Sequence, residues 1–244
     1  MNLVLATDDS GGPEIFASLQ GEGASAGEPC AFIRLSRCNL ACVWCDTAYT
    51  WRFAGDARPH RAGIAHDRKA NQITLSPLEA ARRIDRFEPR RLVVTGGEPL
   101  LQAPALAELA ALLPDHAIEV ETNGTVEPPA RFDAYVDQYN VSPKLAHSGN
   151  AAALALPAAR LRQWASEPRA FFKFVIAEPA DVDEVLALQH TFHLPRERIF
   201  LMPEGTDSAT LRARGEWLAP LAERQGFRLS DRLHIHLYGD TRGT

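Results

Sequence analysis

Apolar and polar positions along the chain fall into blocks of two kinds. Short, mostly apolar runs stand at 32–35, 92–95, 117–121, 135–141, 171–177, 199–202 and 233–238. Their length and their β-branched and aromatic content predict buried strands. Stretches with helical spacing lie between them. Residues 103–113 predict a helix stopped by Pro114, residues 160–164 the centre of another, and residues 181–190 a third. Residues 211–225 predict a longer helix in which Pro220 makes a kink. One helix start is well marked. Ser76 offers a capping hydroxyl, Pro77 suits the first turn, and Glu79 stands three residues after the cap. Ala80, Ala81, Ile84 and Phe87 then form its apolar stripe. Seven strand candidates separated by helices predict an α/β fold on a parallel sheet.

The stretch 52–73 breaks the pattern. Gly55, Pro59 and Gly63 interrupt it, and Arg58, His60, Arg61, His66, Arg68 and Lys69 are basic or become so. A loop of this length is uncommon and tends to be functional or mobile. No linker divides the chain, so a single domain is expected over 1–244, with this basic insertion following a loop at 36–50.

Composition narrows the classes. The 244 residues are 45% hydrophobic and 23% charged, as in ordinary globular proteins. The net charge of −5 argues against a broad phosphate-tracking surface, so no nucleic-acid partner is expected. No apolar run approaches the roughly 18 residues of a membrane span. The N-terminus has neither a basic region nor a long apolar stretch, so no signal peptide is expected. These features predict a cytoplasmic protein.

The cysteines change the picture most. All four fall at positions 30, 38, 42 and 45. A disulfide framework would be spread through a small secreted chain, whereas this cluster points to metal or redox chemistry. Cys38, Cys42 and Cys45 have the spacing C-x3-C-x2-C. Three thiolates can hold three irons of a 4Fe-4S cluster and leave the fourth iron open to a small molecule. A zinc-stabilised binding module without catalysis is the alternative, with Cys30 as the fourth thiolate. Otherwise Cys30 is a small buried hydrophobe.

This motif, followed by Gly96-Gly97-Glu98-Pro99 after the next strong strand, resembles the radical S-adenosylmethionine superfamily. Further motifs narrow the match: Gln20-Gly21-Glu22-Gly23, Phe32-Ile33-Arg34-Leu35, Asp46-Thr47, Glu121-Thr122-Asn123-Gly124-Thr125, Ser142-Pro143-Lys144, Met202-Pro203-Glu204-Gly205 and His236-Leu237-Tyr238-Gly239-Asp240. Over nearly the whole chain the sequence resembles the 7-carboxy-7-deazaguanine synthase family. The resemblance implies an incomplete TIM-like βα barrel and a homodimer. It implies a lyase that turns 6-carboxy-5,6,7,8-tetrahydropterin into 7-carboxy-7-deazaguanine with loss of ammonia, on the route to the tRNA base queuosine. The cofactors implied are a 4Fe-4S cluster, S-adenosylmethionine and Mg2+. A glycyl-radical activating enzyme shares the cysteine and glycine motifs but leaves Gln20 to Gly23, Arg34 and Thr47 unexplained.

The resemblance also assigns roles. Cys38, Cys42 and Cys45 ligate the cluster, and Thr47 meets Mg2+ through a hard hydroxyl oxygen. Leu19, Gln20, Gly21, Glu22, Arg34, Thr95 and His236 meet the pterin, with Arg34 pairing its carboxylate. Gly96, Gly97, Glu98, Glu121, Ser142, Pro143, Lys144, Met202, Pro203, Glu204 and Gly205 meet S-adenosylmethionine. Several of these follow predicted strands directly, where parallel α/β folds collect ligands. His234 and His236, two apart on a predicted strand, share a face. The tail 239–244 is a candidate to close the pocket. Cluster reduction needs a one-electron donor, and Arg58, Arg61, Arg68 and Lys69 are candidates to dock an acidic flavodoxin.

Overall fold

Six of the seven apolar runs become strands. The computed structural model describes residues 1–244. Its strands are β1 (Leu3–Ala6), β2 (Ile15–Leu19), β3 (Pro29–Leu35), β4 (Gln72–Leu75), β5 (Arg91–Gly96), β6 (Ala117–Thr122), β7 (Gln138–Val141), β8 (Ala170–Ile176), β9 (Ile199–Pro203) and β10 (Arg228–Leu229). The order across the sheet is β10-β9-β8-β7-β6-β5-β3-β1-β4, with β2 also paired to β3. From β3 to β10 every neighbouring pair is parallel. The pairings of β1, β2 and β4 are antiparallel. The two ends of this path do not pair, so the barrel is incomplete, as expected.

The helices are α1 (Arg68–Asn71), α2 (Pro77–Ile84), α3 (Ala103–Ala110), α4 (Ala130–Asp133), α5 (Ala152–Ala155), α6 (Ala158–Ser166), α7 (Pro179–Phe192), α8 (Ser208–Gln225) and α9 (Leu233–Tyr238). The expected cap of α2 forms in full. The Ser76 hydroxyl accepts from the Glu79 amide at 3.2 Å, and the Glu79 carboxylate accepts from the Ser76 amide at 2.8 Å. Such a cap contributes about 1 kcal/mol. Helix α8 runs unbroken through Pro220.

Three expectations change. Residues 233–238 form α9, not a strand. The 135–141 run begins as a turn and becomes β7 only at Gln138. The 52–73 stretch is less irregular than its composition suggested. It carries a bridge between Phe53 and His66, then α1, and then leads into β4, which pairs with β1 over four residues.

Alternation along the strands divides the molecule. Ala31, Ile33 and Leu35 of β3, Leu92 and Val94 of β5, Ile118 and Val120 of β6, and Phe172 and Phe174 of β8 join the main core with the helices. The intervening positions point to the other face: Phe32 and Arg34, Thr95, Glu121, Asn140, Lys173 and Met202 all line one cavity. Side chains two apart on a strand share a face, so one register supplies both the greasy outer layer and the polar inner one.

Candidate active site

The cavity has a volume of about 460 Å³, in the range of small-molecule sites. Its chemistry starts where β3 ends. Arg37 has a φ of 79°, in the left-handed region, and turns the chain away from the sheet. The Arg37 amide donates to the Thr50 carbonyl at 2.7 Å and the Ser36 hydroxyl does so at 2.8 Å, which closes the base of the loop. Cys38, Cys42 and Cys45 of this loop all line the cavity.

Each of these sulfurs has a nitrogen donor. Asn123 Nδ2 donates to Cys38 Sγ at 3.9 Å, Asn150 Nδ2 to Cys42 Sγ at 3.3 Å, and Trp51 Nε1 to Cys45 Sγ at 3.4 Å. Burial pushes the Cys38 thiol up to about 12 and the Cys45 thiol to about 11, and raises Cys42 as well. Such thiols stay protonated until a metal displaces the proton. Trp44, between the last two cysteines, lines the cavity, and its Nε1 is buried with no partner. Three free thiols with N–H support and an orphaned donor beside them fit an iron–sulfur cluster carrying a small molecule.

Cys30 is not part of this group. It is fully buried on β3 with Phe32 and Val93, and its thiol donates to the Ser18 carbonyl at 3.6 Å. Cys30 is therefore held apart from the other three cysteines, in the packing of β2, β3 and β5.

The glycines lie against the cysteine loop. A Cβ on Gly96 would stand 2.0 Å from the Leu35 carbonyl oxygen, and one on Gly97 2.0 Å from that of Arg37. The Gly97 amide donates to the Leu35 carbonyl at 3.0 Å. Both glycines line the cavity. Only a bare backbone lets β5 pass this close to the start of the loop.

Comparison with known proteins agrees with this architecture. Residues 32–146 match the radical SAM superfamily. The chain is 40% identical to a 7-carboxy-7-deazaguanine synthase from Pyrobaculum aerophilum, over 94% of this chain and 95% of that one. It is 35% identical to the same enzyme from Halobacterium salinarum, over 93% and 90%. The chain belongs to the 7-carboxy-7-deazaguanine synthase family. The crystal structure of QueE from Escherichia coli is 27% identical, with a TM-score of 0.68, over 96% of this chain and 95% of that one. Streptococcus suis SuiB bound to its precursor peptide SuiA, at 12% identity and a TM-score of 0.54 over 82% and 47%, shares the fold alone. Membership of the 7-carboxy-7-deazaguanine synthase family sets aside the activating-enzyme alternative.

Most residues singled out by the family motifs meet in the cavity. Leu19, Gln20, Gly21, Glu22, Arg34, Thr47, Thr95, Gly96, Gly97, Glu121, Ser142, Lys144, Met202, Pro203, Glu204 and Gly205 all line it. Glu121 accepts from the Thr95 hydroxyl at 2.8 Å and from Gln20 Nε2 at 3.2 Å. Glu204 is bound by Arg61 and Arg214, each at 2.5 Å. Lys144 Nζ donates to the Ser142 hydroxyl at 2.7 Å.

Three residues fall elsewhere. Glu98 is fully buried behind the wall, where its carboxylate accepts from the Leu100 amide, the Thr122 hydroxyl and the Asn123 amide at 2.7–3.0 Å. It organises the turn instead of facing a ligand. Pro143 is buried outside the lining. His236 turns outward to Ser208 and Asp231, at 3.0 and 3.1 Å. The reason is α9: residues two apart on a helix point to nearly opposite sides, so His234 faces the cavity and His236 does not. The tail contributes Asp240, Thr241, Arg242 and Thr244 to the lining.

The site also holds two cations that the motifs did not include, Lys173 and Arg232. Glu22 pairs with Lys173 and with Arg232, the latter at 2.9 Å, and Arg232 also pairs with Asp46. Burial alone would raise Glu22, but Lys173, Arg232 and His234 hold it well below the usual carboxylate range. Asp46 is lowered by Arg232 against the same penalty. Burial would lower Lys173, and Glu22 with Glu121 raises it instead. His234 is lowered, first by burial. Lys173 and Arg232 are thus both held in the charged form by the carboxylates beside them.

Proposed function

We propose that this chain catalyses the ring contraction of 6-carboxy-5,6,7,8-tetrahydropterin to 7-carboxy-7-deazaguanine, with release of ammonia, in queuosine-type 7-deazapurine biosynthesis. One observation carries the reading. The cavity that holds the three cysteine thiols also presents Arg34, whose Nε is held by Glu14 at 2.7 Å and whose two outer nitrogens have no partner in the chain. A free guanidinium edge suits a carboxylate-bearing ligand placed beside a cluster.

Cys38, Cys42 and Cys45 would hold three irons, with S-adenosylmethionine on the fourth. Bound together, these two groups supply a carbon-centred radical; the chain supplies position and exclusion of water. Gly96, Gly97, Glu121, Ser142, Lys144 and the 202–205 segment line the space for the cofactor. Leu19, Gln20, Gly21, Glu22 and Thr95 line that for the pterin ring, whose N–H groups suit carboxylate acceptors. Thr47, with Oγ1 3.6 Å from Cys45 Sγ, would be the hydroxyl oxygen that meets Mg2+.

The reducing compartment that such thiols need is the cytoplasm. A flavodoxin-type donor suits the charge distribution. Residues 30–70 carry seven Lys or Arg against three Asp, in a chain whose net charge is −5. A homodimer follows from the same family reading, and sedimentation at micromolar concentration checks it.

The deciding experiment is anaerobic incubation of reconstituted protein with the carboxytetrahydropterin, S-adenosylmethionine, Mg2+ and reductant. Formation of 7-carboxy-7-deazaguanine and ammonia in equal amounts supports the reading. Cleavage of S-adenosylmethionine without either product refutes it.

A further inference from the structure

Arg34 is not free to choose its orientation. Its Nε donates to Glu14 Oε1 at 2.7 Å, and the Glu14 side chain is 0% exposed. Tyr49 donates its hydroxyl to the same carboxylate, at 3.1 and 2.9 Å to the two oxygens. The backbone reinforces the pair, because the Arg34 amide donates to the Glu14 carbonyl at 3.1 Å and the Glu14 amide to Ala6 at 2.9 Å. Glu14 is thus hung on the sheet next to the residue it holds.

Three separate segments converge here. Glu14 precedes β2, Arg34 is the last residue but one of β3, and Tyr49 lies in the short turn just after Thr47. The Arg242 guanidinium covers the Tyr49 ring at 3.6 Å, which adds the C-terminal tail. A carboxylate buried this deeply needs a cation and hydrogen bonds, and it has both.

A guanidinium recognises a carboxylate best through two parallel N–H donors in one plane. Fixing Nε fixes that plane. The two outer nitrogens, which make no hydrogen bond within the chain, are then left as the fork of a residue that lines the cavity. Asp46 is the competing anion: its charge and that of Arg34 stabilise one another. A guanidinium released from Glu14 would be free to turn toward Asp46 and lose the fork.

We infer that Glu14, supported by Tyr49, is a positioning residue that makes Arg34 a carboxylate-specific clamp and so sets the preference of the site for pterins bearing a 6-carboxylate. This rests on the reading that Arg34 meets the substrate carboxylate. Glu14 itself touches no ligand; it acts through Arg34.

Equilibrium dialysis of the reconstituted protein with pterin-6-carboxylate and with pterin lacking the carboxylate tests the inference. The variants are Glu14→Gln, Arg34→Ala and the double substitution. Glu14→Gln should weaken the carboxylate ligand by about tenfold and leave unsubstituted pterin unchanged. In the Arg34→Ala background it should add nothing. Equal weakening of both ligands, or a full effect without Arg34, overturns the positioning role. A wild-type preference for the carboxylate that survives Arg34→Ala overturns the underlying reading of Arg34 instead. Should Glu14→Gln not fold, Tyr49→Phe removes one support of Glu14 and should give a smaller loss confined to the carboxylate ligand. No loss, or an equal loss for both ligands, overturns the inference in that case.

Discussion

His234 packs so tightly on Gly21 that a Cβ at residue 21 would stand 2.1 Å from its Nδ1. The backbone repeats the contact, since the Leu233 amide donates to the Gly21 carbonyl at 2.9 Å. Gly21→Ala should therefore push α9 off the loop after β2. Overpacking of this kind costs on the order of 1–3 kcal/mol. Denaturant melts should show that loss, and hydrogen exchange should rise at residues 233–244. Unchanged exchange there would show that the imidazole simply rotates aside.

Cys42→Ala should leave a folded protein with no turnover. Its reconstitution should yield neither the visible charge-transfer absorption nor the roughly four irons of the intact cluster. Full iron content with retained absorption would show that Cys42 is not a ligand. Cys30→Ala should load iron normally, because that sulfur belongs to β3 packing.

Lys173→Met leaves Glu22 with Arg232 as its remaining close cation. Removing one partner of a buried pair is destabilising by about 3–5 kcal/mol. The Arg232 contact should reduce the loss to the lower end of that range. Equilibrium unfolding at neutral pH measures it, and a loss near zero would mean that Arg232 alone suffices for Glu22.

Acid should act on the same group. Glu22 and Asp46 are both held below their ordinary values of 4.5 and 3.8. The stability they contribute is fully present above those values and is lost as pH falls through the lower folded ones. Stability should thus fall steeply below about pH 4.5, and less steeply in Glu22→Gln, which no longer titrates there. Parallel curves would remove Glu22 from the acid response.

The basic segment offers a separate test. Arg58 pairs with Asp56 and stacks on Trp51 at 4.7 Å, and Arg61 pairs with Glu204, so both have internal roles. Arg68, whose guanidinium also stacks on Phe53 at 4.7 Å, and Lys69 are exposed and make no ion pair. Reversing these two charges should slow turnover driven by an acidic flavodoxin and leave dithionite-driven turnover unchanged. Equal effects on both would exclude docking at this segment.

The parallel half of the sheet was legible because its strands are apolar runs bounded by turns. The short strands β1, β2, β4 and β10 were not, since they form only against neighbours already in place. In the site, Thr95 and the cysteines announced themselves by motif. Lys173 had a fainter signal: a lone charge among Phe171, Phe172 and Phe174, on a strand of a kind usually covered on both faces. Arg232 had none, and His234 was a candidate only as the neighbour of His236 on a strand that does not form. Leu233, Ile235 and Leu237 alternate with the histidines like a strand, yet the segment coils as α9 and docks on the loop after β2. Local pattern gave way to a contact made across the length of the chain.

That contact has a consequence for how the protein is made. Glu22 and Arg232 meet across 210 positions of sequence, so the cavity is not enclosed until Arg232 has left the ribosome. The three thiols at 38–45 emerge far earlier. During synthesis they stand without the wall that later buries them, open to oxidants and to adventitious metal. A sheltered iron–sulfur site on this chain therefore has to wait for the segment that carries Arg232. A truncated product would carry the cysteine motif but only part of the site built to shelter it.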